Sequence, residues 1–189
     1  MTPHEPASEV TMNRSTPLPA GVSLVSLTTH ADSRGDLTEI FRNEWHHSPL
    51  PAQWLITRSG ANTLRGVHVH ALNWDYLCVI EGETIVGLHD MRPEAADPRS
   101  TLIQLSGARI QMLVIPPGVA HGFYSPVGAT HVIGASKYFD SADHRGCRWD
   151  SPELGLDWPC TAPMLSEKDR AVGSYAELRA AYLRSSAHA

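Results

Sequence analysis

The chain has 189 residues, 42% hydrophobic and 19% charged, which is the size and balance of one globular domain and excludes a disordered polymer. A formal net charge of -5, from 20 acidic against 15 basic side chains, argues against a nucleic-acid-binding protein. Fourteen Gly and fourteen Pro favour short strands and turns over long helices, and eleven His raise the question of whether these residues are scattered or organised.

Residues 1–20 are polar and proline-bearing and carry no apolar segment that could serve as a signal peptide. They read as a flexible tail ahead of a single domain spanning residues 21–189. No apolar run approaches the roughly 18–20 residues that a membrane helix requires. Cys78, Cys147 and Cys160 are too few and too far apart for a disulfide framework or a paired-cysteine zinc site. Cys78, inside the apolar run Tyr76–Ile80, reads as a small buried hydrophobe. The expectation is a soluble, reduced, cytoplasmic protein with neither a membrane nor a nucleic-acid partner.

From Val22 onward the pattern is that of β-structure. Val22–Leu27 alternates, and Leu37–Phe41 follows a turn at Asp32-Ser33-Arg34-Gly35. Strands are predicted at Gln53–Arg58, Leu64–His70, Tyr76–Ile80, Thr84–Leu88, Thr101–Leu105, Arg109–Ile115 and Thr130–Ser136, with breaks at Glu81-Gly82-Glu83, Ser106-Gly107 and Pro116-Pro117-Gly118. This spacing predicts an all-β sandwich or barrel. Residues 93–98 read as a loop and 141–163 as mostly irregular. Only the end reads as helix: Ser174 and Glu177 make a capping box, and Tyr175, Leu178, Ala181 and Tyr182 share one face through about Arg184.

The histidines are organised. His68 and His70 point to one face of a strand because its side-chain period is two. Asp75 follows after a short bend and Gly82 after a further six residues, and Pro116-Pro117-Gly118-Val119-Ala120-His121 brings a third imidazole after a tight turn. Three imidazoles and one carboxylate converging on a barrel interior suit a divalent transition metal such as Zn, Fe, Ni or Mn. The competing reading is histidines that are merely packed or exposed.

This spacing resembles the cupin superfamily, with Asp75 at the place of the usual Glu and Asn62 and Ile110 where leading glycines are expected. A closer resemblance covers residues 22 to 170. Asp32-Ser33-Arg34-Gly35, Leu64-Arg65-Gly66-Val67-His68, Pro117–Phe123, Trp149–Pro159 and Leu165-Ser166-Glu167-Lys168-Asp169 occur in the order found in the dTDP-4-dehydrorhamnose 3,5-epimerase family. The resemblance implies a cupin jelly roll with a short C-terminal helix, a homodimer formed by strand exchange near its N-terminal part, a dTDP-linked 4-keto-6-deoxy sugar as substrate and no required cofactor. It implies His68 as the base, paired with Asp169, and a substrate site lined by Arg34, Gln53, Arg65 and His121. Asp169 also fits simple helix capping, since Ser166-x-x-Asp169 is itself a capping pattern.

Four family positions differ here. The Gln two residues after the base is His70, the active-site Lys is Asp75, an Asn is Leu55, and the Tyr acid is Ile133. Ile133 cannot supply a proton, which leaves His131, Tyr124 and Tyr76 as substitutes. A carboxylate at 75 would repel a developing enolate by a few kcal/mol at an effective dielectric of about 20. A divalent ion on His68, His70, Asp75 and His121 would restore the positive charge, but a metal-bound His68 could not also act as the base. Trp45, Trp54 and Trp74 are candidates for stacking on a nucleotide base or sugar. Three functions compete: epimerisation of a nucleotide-linked keto-sugar, at one carbon in view of the missing Tyr; metal-dependent isomerase, cyclase or dioxygenase chemistry on another small molecule; and sugar binding without turnover.

Overall fold

A computed structural model describes residues 17–43, 49–141 and 143–186. The expected N-terminal tail and Trp45 lie largely or wholly outside the described residues. Among the described residues, eleven strands form in chain order: β1 Ser23–Ser26, β2 Thr29–Asp32, β3 Gly35–Thr38, β4 Gln53–Ser59, β5 Thr63–Val69, β6 Asp75–Asp90, β7 Ser100–Ser106, β8 Gln111–Ile115, β9 Val119–Ser125, β10 Ala129–Ala135 and β11 Arg145–Gly146. A 3-10 turn at Pro152–Leu154 and two α-helices, α1 Glu167–Arg170 and α2 Tyr175–Ser186, follow among the described residues.

Strand β6 organises the barrel. Its first half pairs with β8 on one side and β10 on the other; its second half pairs with β7 and β9. Two antiparallel sheets therefore share it: β1-β8-β6-β10-β4, and β7-β6-β9-β5-β11. This is the jelly-roll arrangement expected of the sequence. The predicted break at Glu81-Gly82-Glu83 does not end the strand. Gly82 takes φ +74°, the β6–β10 register shifts between Thr130 and His131, and the strand continues into the second sheet. The turn signal is real, but here it bends a strand rather than separating two.

Apolar residues from both sheets, including Leu77, Val79, Val86, Leu88, Leu113, Ile115 and Val119, fill one core cluster. A second cluster packs the outer face of the β5-containing sheet against Tyr175, Leu178 and Tyr182 of α2. The predicted capping box is formed, with the Ser174 backbone N–H donating to Glu177 at 2.7 Å and the Glu177 N–H donating to Ser174 Oγ at 3.3 Å. Cys78 is fully buried, and burial pushes its thiol up to about 12. Asn62, standing where a glycine is expected, takes φ +55°, a conformation Asn adopts more readily than other non-glycine residues.

The residues around Arg34 are arranged differently from expectation. β2 and β3 form a separate two-stranded ribbon whose residues are almost all exposed. Among the described residues, no helix is long and apolar enough to cross a membrane.

A Cβ at position 82 would overlap the Gly128 carbonyl oxygen and force a side chain into left-handed backbone. Gly82→Val should therefore lower the unfolding free energy by about 2 kcal/mol or more, measured by denaturant titration.

Candidate active site

The two sheets enclose a cavity of about 340 Å³. Alternation along the strands selects its lining: Gln53, Leu55 and Thr57 of β4, Asp75 and Leu77 of β6, His121 and Phe123 of β9, and Ile133 and Ala135 of β10. Arg65, His68 and His70 enter from β5 and its end, and Ser166, Lys168 and Asp169 close one side from α1 and its cap.

His68 is held by close backbone packing. Gly66 takes φ +112°, and a Cβ there would lie 2.8 Å from Gly122 Cα and 2.9 Å from the His121 carbonyl oxygen, so β5 and β9 can approach only with glycine at 66. His68 then sits opposite His121 in the β5–β9 register. Its Nε2 lies 2.6 Å from Asp169 Oδ1. The two readings of Asp169 turn out to be compatible. Ser166 Oγ accepts the Asp169 backbone N–H at 3.0 Å and donates to Oδ2 at 2.8 Å, while Oδ1 faces His68. Capping α1 is what aims the carboxylate. Burial works against ionisation of Asp169, but hydrogen bonds from His68 and Ser166 outweigh it and hold the carboxyl below its usual range.

The four expected metal ligands divide. His70, Asp75 and His121 form one cluster, with donor atoms within 4.8 Å of one another. His68 is not in it, because its Nε2 is engaged by Asp169. Asp75 Oδ2 lies 3.4 Å from His70 Nε2 and 3.2 Å from His121 Nε2. Burial penalises the Asp75 charge, yet the His121 contact keeps the carboxyl low. His121 is likewise penalised by burial and raised overall by Asp75, whereas burial lowers His70.

Gln53 and Arg65 line the cavity as expected. Gln53 Oε1 accepts the Phe139 backbone N–H at 3.1 Å, and Arg65 donates to Ser59 Oγ at 3.0 Å and to the Arg58 carbonyl at 3.1 Å. Other expected residues lie elsewhere. The Arg34 side chain is 88% exposed at the ribbon tip and paired with Asp32 at 2.5 Å, outside the cavity. His131 is fully buried, bonded to Thr84 Oγ1 at 2.8 Å and packed on Phe123, so its ring does not line the cavity. Tyr124 points to Asn62 Oδ1 at 3.1 Å and Tyr76 to the Pro49 carbonyl, both away from the cavity. Trp54 packs edge-on against Phe41, and Trp74 packs in a core cluster outside the cavity.

Sequence reasoning missed the segment from Lys137 to His144, which carries no periodicity. Tyr138 and Phe139 stand 78% and 65% exposed where this segment lines the cavity. His144 lies with its ring 4.1 Å from that of His68, and burial, followed by the nearby His68, His70, Lys168 and His121 charges, pushes its imidazole down to about 3. It is a neutral neighbour for His68, and Lys168 is a cation on the same wall.

The model of the family described as dTDP-4-dehydrorhamnose 3,5-epimerase matches residues 16–177. The chain belongs to that family. It is 30% identical over 176 residues to a dTDP-4-dehydrorhamnose 3,5-epimerase of Neisseria gonorrhoeae, covering 86% of this chain and about half, 52%, of the relative. A Sinorhizobium fredii relative of the same name is 28% identical, with 84% of this chain and 87% of the relative covered. Among solved structures, an rmlC epimerase of Mycobacterium tuberculosis superposes with a TM-score of 0.80 at 25% identity, covering 87% and 88% of the two chains. NovW of Streptomyces spheroides, a 4-keto-6-deoxy sugar epimerase from the novobiocin cluster, gives 0.79 at 27% identity, with 90% and 91% covered.

The linkage sign for Asp169 follows from its lowered carboxyl. Its stabilisation is complete above the unfolded value near 3.8 and is lost as pH falls through the lower folded value. Unfolding titrations against pH should therefore separate wild type from Asp169→Asn at neutral pH and bring the two together as the pH falls through the lowered folded value.

Proposed function

We propose that the chain epimerises a dTDP-linked 4-keto-6-deoxy sugar by removing a proton from a carbon next to the ketone, in deoxysugar or surface-polysaccharide synthesis. The observation that carries this reading is the 2.6 Å His68–Asp169 pair on the cavity wall. His68 takes the proton, and Asp169 orients the ring and balances the imidazolium that forms. Neutral His144 packs against His68 without adding competing charge. Arg65 and Lys168 supply positive potential in the cavity for the developing enolate oxygen, and Gln53 holds the segment bearing Phe139. Tyr138 and Phe139 offer exposed aromatic faces for the nucleotide base, in place of the tryptophans expected from the sequence.

Ile133 lines the cavity where the family has its acid. That favours inversion at one carbon rather than two: His68 removes the proton on its own face, and solvent water, in place of a side-chain acid at 133, returns a proton to the opposite face of the enolate. Three free cysteines suit a reducing compartment, in keeping with a cytoplasmic enzyme.

A homodimer is part of this reading. An isolated two-stranded ribbon is marginal in water, yet β2–β3 projects with almost every residue exposed, and Trp54 and Ile56, on the face of β4 opposite the cavity-lining Leu55, are exposed as well. A second copy covering these surfaces would also place Arg34 against a site it does not reach in its own chain.

Incubation with dTDP-4-keto-6-deoxyglucose in D2O should place deuterium at one ring carbon; deuterium at two carbons would refute the single-carbon reading, and none would refute the epimerase. His68→Asn should lower the exchange rate about 10²–10⁴-fold with the fold intact. Light scattering should give twice the 20.7 kDa chain mass, and Arg34→Ala should reduce kcat/KM while leaving Tm unchanged.

A further inference from the structure

We propose that His70, Asp75 and His121 form a site for one divalent transition-metal ion, beside the His68–Asp169 pair and independent of it.

His70 Nδ1 lies 3.0 Å from the Asp143 carbonyl oxygen, and His121 Nδ1 lies 3.1 Å from that of Val119. A carbonyl only accepts, so each Nδ1 carries its ring's proton, and each neutral imidazole turns its Nε2 lone pair inward. Both lone pairs face Asp75 Oδ2, which also only accepts, at 3.4 and 3.2 Å. Three acceptors therefore meet in a wall where the Asp75 residue is 8% exposed. An extra proton on His121 satisfies one contact and leaves His70 facing the carboxylate lone pair to lone pair. A second extra proton would put two imidazolium rings 5.7 Å apart in that wall. One divalent cation satisfies all three donors at once.

The distances fit. Metal–ligand bonds of about 2.0–2.2 Å give donor–donor edges of roughly 3.0–3.5 Å in octahedral or tetrahedral geometry. The supporting contacts are those a metal site uses. The two carbonyls fix the imidazole tautomers, and Asn73 Nδ2 donates to the other oxygen of Asp75 at 2.7 Å. Asp143 in turn is anchored by the backbone N–H groups of Ala71 and Leu72, at 2.7 and 3.3 Å, which holds its carbonyl against His70. Two imidazoles and one carboxylate leave open positions toward the cavity and suit Fe, Mn, Co, Ni or Zn. If the epimerase reading holds, the ion lies where it can polarise the sugar ketone; that role rests on the reading, but the site does not.

The test uses the full chain, stripped with a chelator and titrated with Co(II) by visible absorption and with Zn(II) by calorimetry. One equivalent should bind with micromolar or tighter affinity. Asp75→Asn and His121→Gln should each weaken binding about 100-fold or more, and Asn73→Ala about 10-fold. His68→Asn should bind as wild type does. If Asp75→Asn does not fold by circular dichroism, His70→Gln gives the same readout. No stoichiometric uptake, uptake unchanged in the ligand variants, or uptake lost in His68→Asn would overturn the site. Deuterium exchange in the same preparations separates the two claims. Exchange without metal uptake overturns the site alone, and metal uptake without exchange supports the site and overturns the epimerase reading.

Discussion

The barrel depends on one constraint: β6 must run unbroken through two sheets. Its 16 residues pair with four other strands, and only a glycine at position 82 lets the backbone turn while the ladder continues. Once that bend is made, Asp75 at the start of the strand stands inside the barrel, and the second half of β6 supports β9, which carries His121 opposite His68 on β5. A strand that stopped at Glu81 would leave the two halves of the site on separate sheets with nothing fixing their spacing.

Within that frame the buried charges sort into two neighbouring groups. His68 and Asp169 form a pair whose partner comes from a helix cap, while His70 and His121 turn inward onto Asp75. The His68 and His121 residues are register partners, yet their imidazoles take different carboxylates. The proposed base and the proposed metal ligands therefore share one cavity without sharing a residue. The sequence pattern alone made these alternatives exclusive at His68. The direction of a single ring nitrogen removes the conflict.

Much of the site was legible because short-range rules apply to it. Period-two alternation put His68 and His70 near one another, while the family resemblance, with the capping pattern at Ser166 as its competing reading, pointed to Asp169 as the partner of His68. His131 misled for the same reason. It belongs to the same strand as Ile133, but its ring bonds to Thr84 and packs on Phe123. Alternation fixes a face, not what the neighbouring strand places against it. β9 was missed because Pro117-Gly118 reads as a break and Val119–Ser125 alternates weakly. His144 was missed because its neighbours follow no period, and only the fold of the irregular segment brings its ring over His68.

By itself, the sequence determined what local chemistry dictates: a β-rich domain with a capped C-terminal helix, a histidine pair at the end of one strand, and the ordered motifs of one family. Tertiary structure decided everything that depends on direction across the barrel. It made one strand of two, sent Arg34 out to a ribbon, joined His68 to Asp169 across 101 positions of chain, and gathered His70, Asp75 and His121 around a point. Sequence spacing limits which groups can approach one another. Which atom of a ring faces which oxygen is set by packing between strands far apart in the chain.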